Sequence, residues 1–85
     1  MKEFSFVIKD PSGIHARPAG QLVKIASSYP CSIKIKKDEK EADAKRIFAV
    51  MSLAAKQGES IRFVFDGEKE NDAMIELKEF CENNL

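Results

Sequence analysis

Apolar residues recur along this chain with two different periods, and the repeated switch between them limits the folds available to it. Phe4, Phe6 and Ile8 alternate with Glu3, Ser5 and Lys9, the two-residue period of a strand with one buried face. Asp10-Pro11-Ser12-Gly13 then breaks the run with turn residues. From Ala16 to about Ser28 the spacing becomes helical, with Ala19, Leu22, Val23 and Ala26 on one stripe. Pro18 is tolerated only near a helix start, where its missing N–H costs nothing, so it sets that start near residue 16. Tyr29-Pro30 ends the helix, because the residue before a proline is pushed out of the α region.

Ile33 and Ile35 give a second strand, Lys37-Asp38-Glu39 a hairpin turn, and Lys40 to Asp43 a short polar third strand. Residues 46–56 read as a short helix stopped by Gly58 just past its end. Ile61, Phe63 and Phe65 form a fourth strand, and Asp66-Gly67 turns the chain. Ala73, Met74, Leu77, Phe80 and Cys81 are the core stripe of a last helix. The order β-α-β-β-α-β-α predicts an α+β fold, a sheet covered by helices on one side. With 85 residues there is room for one domain, 1–85, and one modest core.

Several function classes recede on composition. Fourteen basic and 14 acidic side chains give zero formal charge, against the strongly positive surface that nucleic-acid binding uses. No apolar run is long enough to span a membrane, and Met1-Lys2-Glu3-Phe4 lacks the layout of a signal peptide, so a cytoplasmic location is expected. Cys31 and Cys81 read as small buried hydrophobes. One histidine and no C-x-x-C pair argue against a zinc site. No cofactor is expected either.

The informative stretch is Pro11-Ser12-Gly13-Ile14-His15-Ala16-Arg17-Pro18-Ala19, which places the only histidine at the mouth of the first helix. The first four N–H groups of a helix lack intrahelical partners, and with the aligned peptide dipoles they attract an anion. Arg17 adds a guanidinium whose fork of donors suits a phosphate. The same field opposes a charged imidazolium and favours the neutral, nucleophilic ring. A phosphorylated ring would gain contacts that the free ring lacks. Phosphoryl transfer asks mainly for positioning and charge stabilisation, so it needs no deep pocket. Spacing alone leaves open that His15 is an ordinary helix-start residue and Arg17 a solvated charge.

Gly13-Ile14-His15-Ala16-Arg17-Pro18-Ala19 resembles the active-site signature of HPr, the histidine-containing phosphocarrier of the bacterial phosphoenolpyruvate:sugar phosphotransferase system (PTS). The resemblance extends over nearly the whole chain, in length, element order and the stretch Val50-Met51-Ser52-Leu53. It implies an open-faced β-sandwich, a four-stranded antiparallel sheet with three helices on one face. It implies a carrier without turnover of its own, in which His15 takes phosphate on Nδ1 from Enzyme I and donates it to IIA domains. Arg17 would pair with the phosphoryl group, supported by Ser12, Gly13, Ala16 and Pro18 in the loop and helix start. The family precedent is a monomer.

The second helix holds more apolar residues than one buried stripe needs. At 100° per residue Val50, Leu53 and Ala54 fall on one side and Ile47, Phe48, Met51 and Ala55 on another. One expectation is an exposed docking patch, with Phe48 as aromatic anchor and Met51 as an adaptable contact. The alternative is burial of both faces between the sheet and another helix. The resemblance favours docking, because the family meets its partners with the first two helices. Gly20, which costs about 1 kcal/mol against alanine inside a helix, either admits a partner surface or is simply tolerated. Lys24 and Ser27 share its exposed side and would belong to the same footprint.

One position departs from the family. Many relatives of Gram-positive type carry a regulatory serine at the start of the second helix, and Arg46 stands there, so no seryl phosphorylation is expected at that position. The departure keeps two other readings open. One is a specialised paralogue serving a regulatory relay. The other is a pure binding module acting through the second-helix patch, with His15 incidental.

Overall fold

Phe4, Phe63, Ile35 and Ala42 lie side by side in one row across four antiparallel strands. The computed structural model describes residues 1–85. Its elements are β1 Lys2–Val7, α1 Ala16–Ser27, β2 Ser32–Lys37, β3 Lys40–Asp43, α2 Ile47–Ser52, β4 Ser60–Asp66 and α3 Glu70–Asn84. The strand order is β1-β4-β2-β3. The last strand in sequence therefore inserts between the first two, an arrangement that no local pattern encodes.

Alternation assigns the two faces. Ile33, Ile35, Ile61, Phe63 and Phe65 are buried, and the rings of Phe4 and Phe63 stack 4.8 Å apart. Ala19, Leu22 and Ala26 of α1, Val50 of α2, and Ala73, Leu77 and Cys81 of α3 share that core. All three helices thus cover one face of the sheet. The other face carries the row Ser5, Arg62, Lys36 and Glu41. Its ion pairs, such as Lys34–Glu41 at 3.6 Å, are about half exposed and add little stability. Cys31 and Cys81 are both buried free thiols, and burial pushes Cys81 up to about 12.

The second helix is shorter than the sequence predicts. It ends at Ser52, not at 56, and the left-handed residue just past its end is Ala54, at φ +50°, with Gly58 (φ +88°) four residues further on. Lys37 explains the early stop. Its ammonium donates to the carbonyls of Leu53 (2.9 Å) and Ala54 (3.2 Å), which satisfies the helix end with a cation at the negative pole of the dipole. Glu59 accepts from Lys37 at 3.2 Å and from the Lys56 amide at 2.7 Å, and these bonds, the Lys56 amide foremost, hold its carboxyl below the usual carboxylate range. Beyond Ser52 the 100° wheel no longer applies, so two assignments exchange: Ala54 is exposed and Ala55 is buried.

Candidate functional site

Between β1 and α1 the chain is pinned on both sides. The Ser12 amide donates to Asp10 Oδ1 at 2.8 Å, a turn that an aspartate or asparagine side chain closes on its own backbone. The Gly13 amide donates to the Asp10 carbonyl at 2.9 Å. On one flank the Lys9 and Asp10 amides donate to the Leu85 carbonyl, at 2.6 and 2.8 Å. On the other the Ile14 amide donates to the Ala55 carbonyl at 3.1 Å, while Gln57 Nε2 donates to the Lys9 carbonyl at 3.1 Å. Ile14 inserts into the core at 7% exposure, and the next residue is turned out to solvent.

That next residue is His15. It is the N-cap of α1, in extended backbone at φ −95°, and its ring makes no capping bond. Its carbonyl accepts the Ala19 amide at 3.0 Å. Pro18 is buried and has no N–H. The expected set of four free donors is therefore three, the amides of His15, Ala16 and Arg17, none of which has a partner within the protein. Arg17 is exposed and makes no ion pair. The structure thus sets a solvent-facing imidazole, three unpartnered amides and a free guanidinium at one helix mouth.

His15, Arg17 and Pro18 share an open cleft of about 260 Å³ with Asp10, Gln21, Asn83 and Asn84. Ser12 is exposed on the adjoining turn and Ala16 is exposed in the first helical turn. Asn83 and Asn84 are neighbours that no local sequence pattern announces. They arrive from the far end of the chain, because the end of α3 lies against the β1–α1 loop through Leu85. Gln21 carried no signal beyond falling one helical turn after Arg17. No three His, Cys, Asp or Glu side chains converge in a way that could hold a metal ion.

A second surface lies on α2. Phe48 is 84% exposed and Met51 is 37% exposed. Burial of both faces of this helix is thereby excluded. Ile47 differs from its expected partners: it is half buried against the core, and a Cβ on Gly20 would lie 3.8 Å from its Cδ1. Gly20 therefore faces α2, at ordinary contact distance. Lys24 and Ser27 are exposed on α1, as expected.

Arg46 is the N-cap of α2 and forms no side-chain cap. A cation at a helix N-terminus opposes the dipole, and arginine offers no acceptor to the free amides. Arg46→Ser should therefore raise stability by about 1 kcal/mol, read as a higher urea midpoint at unchanged slope.

The family model described as "PTS HPr component phosphorylation site" matches residues 2–83. A phosphocarrier protein HPr of Lysinibacillus sphaericus is 45% identical over 77 residues, covering 91% of this chain and 88% of that one. A crystal structure of HPr from Thermoanaerobacter tengcongensis superposes with a TM-score of 0.92 at 38% identity, covering 96% and 92% of the two chains. A phosphoryl donor subunit of a phosphoenolpyruvate-dependent dihydroxyacetone kinase, DhaM of Providencia stuartii, is 32% identical over 80 residues, which are 94% of this chain and 17% of that longer protein.

Proposed function

The chain belongs to the PTS HPr family of phosphocarrier proteins, which are not themselves enzymes, and on that premise we propose that His15 accepts a phosphoryl group from Enzyme I and passes it to IIA domains. The observation that carries this reading is the exposed imidazole of His15 beside three unpartnered amides and the unpaired Arg17. The ring is accessible to a donor. Once phosphorylated, it presents its oxygens to donors that already point outward. Arg17 is the residue to neutralise the added charge. Gly13, Ser12, Ala16 and Pro18 shape the support beneath it.

Docking falls to Phe48 and Met51, rimmed by Arg46, Lys24 and Ser27, with Ile47 and Gly20 setting the spacing between α1 and α2. A patch of this kind, apolar with a basic edge, suits acidic partner surfaces and a brief encounter. We place the carrier in the cytoplasm, as a single-domain monomer without seryl regulation at position 46.

A second reading has one support. The DhaM match shows that a stretch of this type serves within a phosphoryl donor subunit of a different relay. The chain could hand its group to such a relay in place of a sugar-specific domain.

Intact mass after incubation with Enzyme I and phosphoenolpyruvate tests the proposal. One acid-labile phosphoryl group is expected, absent from His15→Ala. The double variant Phe48→Ala, Met51→Ala should still charge, with KM for the carrier raised about tenfold. Failure of the unaltered chain to charge beside a competent HPr would overturn the reading.

A further inference from the structure

A cleft that receives a phosphoryl group should carry positive charge on all its walls, and this one does not. Three ionisable side chains line it: His15, Arg17 and Asp10. The carboxylate of Asp10 is held by its own turn, with Oδ1 fixed on the Ser12 amide at 2.8 Å. The backbone on either side is fixed as well, by the Asp10 amide on Leu85 and the Gly13 amide on the Asp10 carbonyl. No lysine, arginine or histidine pairs with Asp10, and Arg17 lies beyond ion-pair distance. The wall opposite α1 is the C-terminal turn of α3, through Asn83 and Asn84, which is the negative end of that helix dipole. The cleft is therefore electrostatically divided. Amides and a guanidinium favour an anion, and a rigid, uncompensated carboxylate opposes it.

We infer that Asp10 raises the transfer potential of the phosphoryl group on His15, by repelling it through space inside their shared cleft. The inference rests on the carrier reading above. In charging, a lone pair of a His15 ring nitrogen forms the new N–P bond while the donor's bond to phosphorus breaks and leaves its electron pair on the donor. In discharge the N–P bond breaks and the pair returns to the ring. Neither step consumes an oxidant or a further reactant. Asp10 takes no part in bond making. It is absent from the energy of the free ring in one respect, since no dianion is then present to repel, and it weighs only on the charged carrier. A carrier whose product state is bound too well would charge readily and discharge poorly. The opposing carboxylate keeps both directions accessible. Coulomb's law for a carboxylate and a doubly charged phosphoryl group sharing a partly solvated, salt-screened cleft gives an effect of about threefold to tenfold on the transfer equilibrium.

A purely structural role for Asp10 would reside in its turn, and asparagine closes the same turn with its side-chain carbonyl. Asp10→Asn therefore removes the charge and leaves the loop. The experiment mixes equal amounts of nitrogen-15-labelled unaltered chain and unlabelled Asp10→Asn with catalytic Enzyme I and limiting phosphoenolpyruvate, in low salt at mildly alkaline pH. Intact mass then reads how the phosphoryl group is shared at equilibrium. Partition toward the asparagine variant by about threefold or more, shrinking as salt is added, is the expected result. Equal sharing, or preference for the unaltered chain, overturns the inference and leaves the carrier reading standing. Absence of phosphate from both chains removes the carrier reading and this inference with it. Asp10→Ser, whose hydroxyl can also accept the Ser12 amide, is run in parallel. It must partition in the same direction, so that a poorly folded asparagine variant cannot decide the outcome.

Discussion

Gly13→Ala is expected to lower the stability of this protein by about 2–3 kcal/mol and to slow the proposed phosphoryl transfer at His15 by about a hundredfold. Both effects follow from one Cβ. Gly13 sits at φ +65°, where a side chain costs about 1–2 kcal/mol. A Cβ built there lies 2.3 Å from the Ala55 carbonyl oxygen and 3.0 Å from Lys56 Cα. Those atoms are backbone, so no flexible side chain can swing aside. The loops must part, and the bond from the Ile14 amide to Ala55, worth about 1 kcal/mol, is stretched or lost. Ile14 is the buried peg directly before His15, so its displacement carries the imidazole with it. Misplacement of a reacting group by about 1 Å can cost a hundredfold in rate. Urea unfolding and single-turnover phosphorylation on the same sample measure the two losses. Unchanged transfer at reduced stability would show that the Gly13–Ala55 contact supports the fold without positioning the ring.

The histidine motif was legible because its chemistry is local. Pro18 announces a helix start, Gly13 a turn, and His15 falls between them. Element order was legible for a related reason: Phe4 to Ile8, Ile33 to Ile35 and Ile61 to Phe65 alternate cleanly, and the α1 and α3 stripes do not. The end of α2 was hidden. It depends on Lys37, which reaches from β2 to cap Leu53 and Ala54, and on a left-handed alanine that no propensity would select. Once the helix stopped early, helical phase mispredicted Ala54 and Ala55. Strand order and the Asn83–Asn84 wall of the cleft were hidden as well. Both are set by contacts between distant parts of the chain, the β4 pairings and the Leu85 carbonyl.

Two phenylalanines separate the core from the proposed docking surface, and opposite outcomes are expected when each becomes alanine. Phe63 is fully buried at the centre of the sheet, paired with Phe4 of β1 and Ile35 of β2. Its ring stacks on Phe4 at 4.8 Å and lies 6.2 Å from Phe65, so three aromatic rings lose their packing together. Removing a buried phenylalanine costs about 3–5 kcal/mol, from lost transfer energy and the cavity left behind. A domain of this length holds only about 4–13 kcal/mol in reserve, so Phe63→Ala should unfold at a far lower urea concentration and populate the unfolded state at body temperature. Phe48 is 84% exposed, so Phe48→Ala should shift stability by less than about 0.5 kcal/mol. On the proposed docking role, its cost should fall on partner affinity, because an exposed aromatic can anchor a complex without contributing to the fold. Matched urea curves for the two variants, with donor-protein binding measured on Phe48→Ala, test the division directly. A large loss of stability in Phe48→Ala would place that ring in the fold and leave the docking surface without its anchor.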